Sequence, residues 1–238
     1  MTKEGQDLFH VTELYLLANA FSVDVLFGLP DKKLYQLQGK AIFDEAFSKL
    51  KQKHIFTEEG KLTKGGAYVI RALELYSQSK KYVRIHNVMF AFQEKEADEI
   101  IMLTEMEDQT YYRLAFISKA LVLTILSERF PLILREPKAN EKDFLKQEAS
   151  TETKKELSTY DPGESENFMN LEFFHMNEQP QKIDNPAFYQ QWLTFTKDEA
   201  LWMVDPTTDT YYHASQYAFL QLLFDEMDFP YKEGALNV

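Results

Sequence analysis

The chain has 238 residues, 45% hydrophobic and 14% aromatic, enough to fill one large interior or two small ones with a shared core. It contains no cysteine, which excludes disulfides, thiolate metal sites and a cysteine nucleophile together. A net charge of −12 argues against a nucleic-acid binder, although residues 31–82 hold 11 basic against 6 acidic side chains, a local +5 that leaves −17 for the rest.

The first predicted element is a helix within residues 8–27. Thr12 is its expected cap, Leu14, Leu17, Ala18 and Phe21 share a face, and Gly28-Leu29-Pro30 stops it. A second amphipathic helix spans residues 40–54, with Ile42, Phe43, Ala46, Phe47 and Leu50 at three- and four-residue spacing. Two short apolar runs around Glu59-Gly60 predict a tight hairpin, and a helix follows from Ala67 to Gln78. From Tyr82 to Phe92 the period changes to two, with apolar residues on both sides, the pattern of a covered central strand.

A hairpin over residues 99–116 turns at Met106-Glu107-Asp108-Gln109 and runs into a helix from Ala115 to Phe130. Residues 138–167 are polar and predict a connector, with an exposed helix from Glu141 to Leu157 and a turn at Asp161-Pro162-Gly163. Strands follow at Phe168–Met176 and Phe188–Phe195. A hairpin turning at Asp205–Asp209 then leads into a helix from Ala214 to Phe229.

The last part restates the middle. Asp98-Glu99 with Thr110-Tyr111-Tyr112 recurs one hundred positions later as Asp198-Glu199 with Thr210-Tyr211-Tyr212, each inside a hairpin followed by a helix. This order predicts a structural duplication, with an N-terminal half at 1–137 and a C-terminal half at 138–238 in one compact domain.

Chemistry leaves few marks. There is no phosphate-binding glycine loop, nucleophile elbow or paired-histidine metal motif. His86 and His175 lie in the leading strands of the two halves with Glu172 nearby, but two half-buried strand histidines are the simpler reading. Asp98-Glu99 and Asp198-Glu199 read as solvated strand ends rather than general acids or bases. No enzyme activity, cofactor or metal is expected. The longest apolar stretch, Ala120–Leu126, is far short of the roughly 20 residues of a membrane span. The first seven residues lack a secretion-signal pattern, so a cytoplasmic location is expected.

Two binding readings remain. Helix, small hairpin and helix over residues 31–82 are the order of a winged-helix module, and the basic excess suits DNA, although no basic cluster falls on one helix face. The alternative comes from a resemblance. Val11-Thr12-Glu13-Leu14 with Leu29-Pro30, then Leu50, Ile55 and Gly60-Lys61-Leu62-Thr63 before a helix and a strand at Tyr82, resemble the N-terminal part of EspG-like proteins. These are chaperones of type VII secretion systems, and the chain is most similar to their shorter, EsaE-like relatives in Gram-positive bacteria.

The resemblance implies an α+β fold of duplicated, pseudo-twofold halves around a central antiparallel sheet flanked by helices, in agreement with the hairpin repeat. It implies a cytoplasmic, non-enzymatic chaperone or adaptor, as monomer or dimer, for a secreted helical-hairpin or toxin protein. By position, the matching contacts are Met106, Glu107, Asp108 and Gln109 in the first hairpin turn and the helix around Phe219–Phe229. On that helix Leu220, Leu223 and Phe224 are expected to pack on the sheet. Met227, Phe229 and Tyr231 at its exit are expected to meet the partner.

Overall fold

The computed structural model describes residues 7–93, 97–163, 167–177 and 181–230. A short strand, β1 (Leu8–His10), opens the chain and passes directly into helix α1 (Val11–Ala18). The expected cap, Thr12, is not the cap. His10 fills that place, its ring accepting from the Thr12 backbone N–H at 3.2 Å while Glu13 accepts from the His10 N–H at 2.6 Å. The two residues close the helix end reciprocally, as a capping box does. The helix ends early, in a 3-10 turn at Asn19–Phe21. Three more helices follow, α2 (Lys32–Gln36), α3 (Ala41–Gln52) and α4 (Lys64–Gln78). Between α3 and α4 the expected hairpin reduces to one antiparallel bridge, Phe56 to Leu62, around Gly60 at φ +79°.

The run from Tyr82 to Phe92 is two strands rather than one, β2 (Lys81–Ile85) and β3 (Val88–Ala91). The chain reverses at His86, which sits in the left-handed region at φ +53°. No glycine announced this turn. The predicted hairpin is present as β4 (Glu99–Glu107) and β5 (Tyr111–Ser118), and β5 continues where a helix was expected. Helix α5 (Lys119–Arg129) therefore starts four residues late, its first turn capped by the Ser118 hydroxyl.

In the connector, the expected helix from Glu141 is replaced by three pieces. A 3-10 turn covers Ala139–Asp143, a polar strand β6 covers Lys146–Glu148, and a short helix α6 covers Thr151–Leu157. Then come β7 (Phe168–His175), β8 (Phe188–Lys197), β9 (Ala200–Asp205), β10 (Thr210–Ala214) and helix α7 (Gln216–Glu226). Ser215 caps α7 as Ser118 caps α5. Asp198 and Glu199 are the two residues of the β8–β9 turn, both at positive φ, the backbone of a type I′ hairpin.

The fold is α+β. Ten strands hydrogen-bond in the order β1-β5-β4-β3-β2-β7-β8-β9-β10-β6, antiparallel throughout the paired registers. A like succession of elements stands at the two ends of this order. β1 leads into α1 and pairs with β5, while β6 leads into α6 and pairs with β10. Each hairpin, β4–β5 and β9–β10, is followed by a serine-capped helix. The outermost strand β6 carries Lys146, whose ammonium lies over the Trp192 and Tyr212 rings at 4.8 and 5.3 Å. A lysine on an exposed edge strand discourages a further strand from adding there.

The described residues form two compact units. One lies within Met1–Tyr82, Asn87–Ile117 and Phe174–Phe188, the other within Val83–His86, Ser118–Phe173 and Tyr189–Val238. In the first, α1, α3 and α4 press Leu14, Tyr15, Leu17, Leu50, Leu73 and Tyr76 onto Tyr82, Met89, Ile101, Leu103 and Tyr112 of the strands. Two charges enter this interior together. Glu13 is fully buried and Lys53 reaches it at 2.5 Å while also donating to the Leu8 carbonyl at 2.6 Å. In the second unit β7 buries Met169, Leu171 and Phe173 at alternate positions, and α7 buries Phe219 and Leu223. The opposite sheet face holds a satellite cluster of Leu157, Phe195 and Val204.

Candidate functional site

The first predicted contact is the β4–β5 turn. Its backbone is fixed by its own polar groups. Thr110 N donates to the Glu107 carbonyl at 2.6 Å, and Gln109 N, at φ +60°, donates to Glu105 Oε1 at 2.9 Å. Met106 is 45% exposed on this tip, and Glu107, Asp108 and Gln109 are exposed beside it. The turn thus presents one thioether among carboxylates, on a backbone held by its own hydrogen bonds.

The second predicted contact is placed differently. Met227 and Phe229 are buried, at 0% and 3% exposure. The reason is the way α7 stops. Asp228 takes the left-handed conformation at φ +49°, and the next N–H, that of Phe229, turns back to the Phe224 carbonyl at 3.0 Å. Their rings then meet edge to face at 5.4 Å. This is a Schellman stop with its hydrophobic contact, made here by aspartate in the place glycine usually takes. Both side chains are closed to a partner in this conformation. Leu223 is buried as expected, while Leu220 and Phe224 are half-buried on the outward side with Tyr217, which is 52% exposed. Tyr231 lies outside the described residues.

A third feature left no signal in the sequence. Arg135 follows the 3-10 turn Pro131–Leu134 and is gripped by Glu141 in a fork of two bonds, 2.8 and 2.6 Å. Its Nε donates to Gln216 Oε1 at 3.0 Å, and the Gln216 amide donates to the Leu132 and Ile133 carbonyls at 2.9 and 3.1 Å. Glu141, only 4% exposed, also accepts the Gln216 backbone N–H at 2.8 Å. Burial pushes this carboxyl up, but the Arg135 and Gln216 hydrogen bonds and the Arg135 charge outweigh it and hold it below the usual range. Beside this clamp lies a cleft of ≈ 490 Å³ bordered by Pro131, Leu132, Pro137, Asn167, Thr196 and the Lys138–Glu199 ion pair. With its cations already paired, the cleft reads as the margin of a structural clamp.

The weighed catalytic residues find structural partners. His86 stacks on Phe130 at 5.2 Å and 7°, with Nε2 3.2 Å from the Phe168 carbonyl, and burial lowers its pKa. His175 lies against the Phe188 ring at 5.1 Å. Among the described residues no three His, Asp or Glu side chains are grouped to hold a metal ion, and no helix is long and apolar enough to cross a membrane. The basic excess of residues 31–82 is partly taken up by partners within the chain. Lys32 pairs with Asp24 at 2.6 Å, Lys49 with Glu45 at 2.7 Å and Lys53 with Glu13, while Lys51 donates to the Glu58 carbonyl.

Comparison with known proteins gives two findings. A family model described as "Domain of unknown function (DUF5081)" matches residues 3–235. The chain is also similar to the type VII secretion system protein EsaE of Staphylococcus aureus, in strains USA300 and NCTC 8325 / PS 47. Identity is 26% over 181 residues, covering 74% of this chain and 80% of that protein. The EsaE-like resemblance read from the N-terminal segments thus extends, distantly, over most of the chain.

Proposed function

The chain belongs to the DUF5081 family, and from that premise we propose that it serves a type VII secretion system as a non-enzymatic chaperone or adaptor. It holds a secreted helical or toxin protein before export, in the cytoplasm. The observation that carries this reading is the 26% identity to EsaE over three quarters of the chain. The geometry that supports it is the hydrogen-bonded β4–β5 turn with Met106 exposed, together with the outward Tyr217, Leu220 and Phe224 of α7. A bound helix that covers such side chains removes apolar surface from water and keeps its own stripe from aggregating. The test is a secretion assay in the native host with the chain deleted. Loss of one or a few secreted proteins from the medium, with their accumulation or degradation inside the cell, is expected. Unchanged secretion of every type VII substrate overturns the reading.

A further inference from the structure

The second unit has two sheet faces of unlike cover. On the face opposite Met169, Leu171 and Phe173, the strand registers align two rungs. One runs Leu193, Val204, Tyr211, and the other runs Phe195, Trp202, His213. Phe168 packs beside them. Phe144 lies against the His213 ring at 4.8 Å, and the rest is covered by α6, reading Thr-Glu-Thr-Lys-Lys-Glu-Leu, in which Leu157 is the one buried side chain. Tyr160 follows it, 37% exposed, with its ring 5.4 Å from Phe195. Beneath this polar helix Phe168, Leu193, Trp202 and Tyr211 stay only half-buried.

The repeat supplies the comparison. Helix α1 follows its edge strand β1 as α6 follows β6, yet α1 buries Val11, Leu14, Tyr15, Leu17 and Ala18. The same place in the duplicated order thus holds an apolar helix once and a nearly wholly polar one the second time. Besides Leu157, what retains α6 is charge. Lys154 reaches Asp209 at 2.7 Å and lies 5.7 Å above the Tyr211 ring. Glu156 pairs with Lys197, whose ammonium lies 5.6 Å above Tyr160. Exposed ion pairs add little stability, and a seven-residue helix is marginal without apolar packing.

We propose that α6 is a displaceable strap, and that the aromatic sheet face beneath it docks an amphipathic helix of a partner protein. That helix carries an apolar stripe flanked by a basic group for Asp209 and an acidic group for Lys197, the two charges that now pair with the strap. The proposal rests on the reading of the chain as a binding protein and deepens it by naming the face and the chemistry of the occupant. Opening the strap costs part of the binding energy, so loosening it tightens the complex.

The experiment uses the full chain and, as probe, a synthetic peptide of residues 148–160 carrying Thr153→Leu. This peptide keeps Lys154 and Glu156 and adds the missing apolar position. Hydrogen exchange of residues 153–158 is expected to run at least tenfold faster than that of β9. The probe should shift the Trp202 emission to shorter wavelength, and Leu157→Ala should tighten its binding at least threefold. Glu156→Ala, a surface change that leaves the core intact, should act in the same direction. Exchange of α6 as slow as that of β9, no binding of the probe, or weaker binding by both variants overturns the proposal. These readouts need no host partner, so a failed secretion assay and a fixed strap are separate results.

Discussion

Gln216 donates its backbone N–H to Glu141 Oε2 at 2.8 Å, so a carboxylate 75 residues earlier in the chain closes the first turn of α7. The same carboxylate holds Arg135 in a fork, and Arg135 holds the Gln216 side chain. Removing one partner leaves the other charge buried and unpaired, which costs more than the pair contributes. Arg135→Ala should therefore lower stability by about 3–4 kcal/mol, read as the midpoint of urea unfolding. Replacing both charges together, as Arg135→Met with Glu141→Leu, should cost distinctly less than Arg135→Ala alone.

Histidine sets the pH dependence near neutrality. Burial is the first cause lowering the pKa of His10, His86 and His213, with Lys49 adding to the effect at His10. Their folded values lie below the unfolded value of about 6.5, so the unfolded chain takes up protons first as pH falls. The stability they contribute is complete above about pH 6.5 and is lost as pH falls through that value toward their folded values. Thermal unfolding between pH 8 and pH 5 should show the midpoint falling below about 6.5. His86→Phe, which keeps the stack on Phe130, should flatten the slope.

Gly66 lies in the first turn of α4 with the Ile55 carbonyl oxygen 2.3 Å from where a Cβ would stand. Alanine in a helix ordinarily stabilises by about 1 kcal/mol over glycine. Here the clash is with backbone, so Gly66→Ala should destabilise, by roughly 2 kcal/mol or more. A rise in the urea midpoint would show that α4 can move away from the Ile55 loop at no cost.

The two predicted contacts should behave differently on substitution. Met106→Asp changes an exposed tip and should leave the unfolding midpoint within about 0.5 kcal/mol while weakening partner capture. Met227→Asp buries a charge at a position with 0% exposure and should unfold the second unit, costing roughly 4 kcal/mol or more. Asp228→Gly relieves the left-handed aspartate that ends α7 and should stabilise by about 0.5–1 kcal/mol.

Much of the architecture was legible because it rests on period and turn chemistry. α3 and α4 follow the three- and four-residue spacing of their apolar side chains, and both hairpins follow two apolar runs around a short polar break. The missed elements lack these signals. Lys146-Gln147-Glu148 has no apolar residue to alternate, and is a strand only because β10 offers it a partner. The reversal between β2 and β3 uses His86, and that between β8 and β9 uses Asp198-Glu199, all at positive φ without glycine. Glu141 looked like one more exposed acid in a polar connector. Only Arg135 and the α7 N-terminus, distant in the chain, bring it inside. Phe229 carried the opposite error, since an aromatic after a helix end reads as a free contact until Asp228 turns it back onto Phe224.

The most direct measurement is co-purification of the tagged chain from its native host at moderate salt, with companions identified by mass and weighed for stoichiometry. The account predicts a secreted helical or toxin-like protein at near one-to-one ratio, captured well by the wild type and poorly by Met106→Asp. A chain that emerges alone, or that instead retains duplex DNA through residues 31–82, contradicts it.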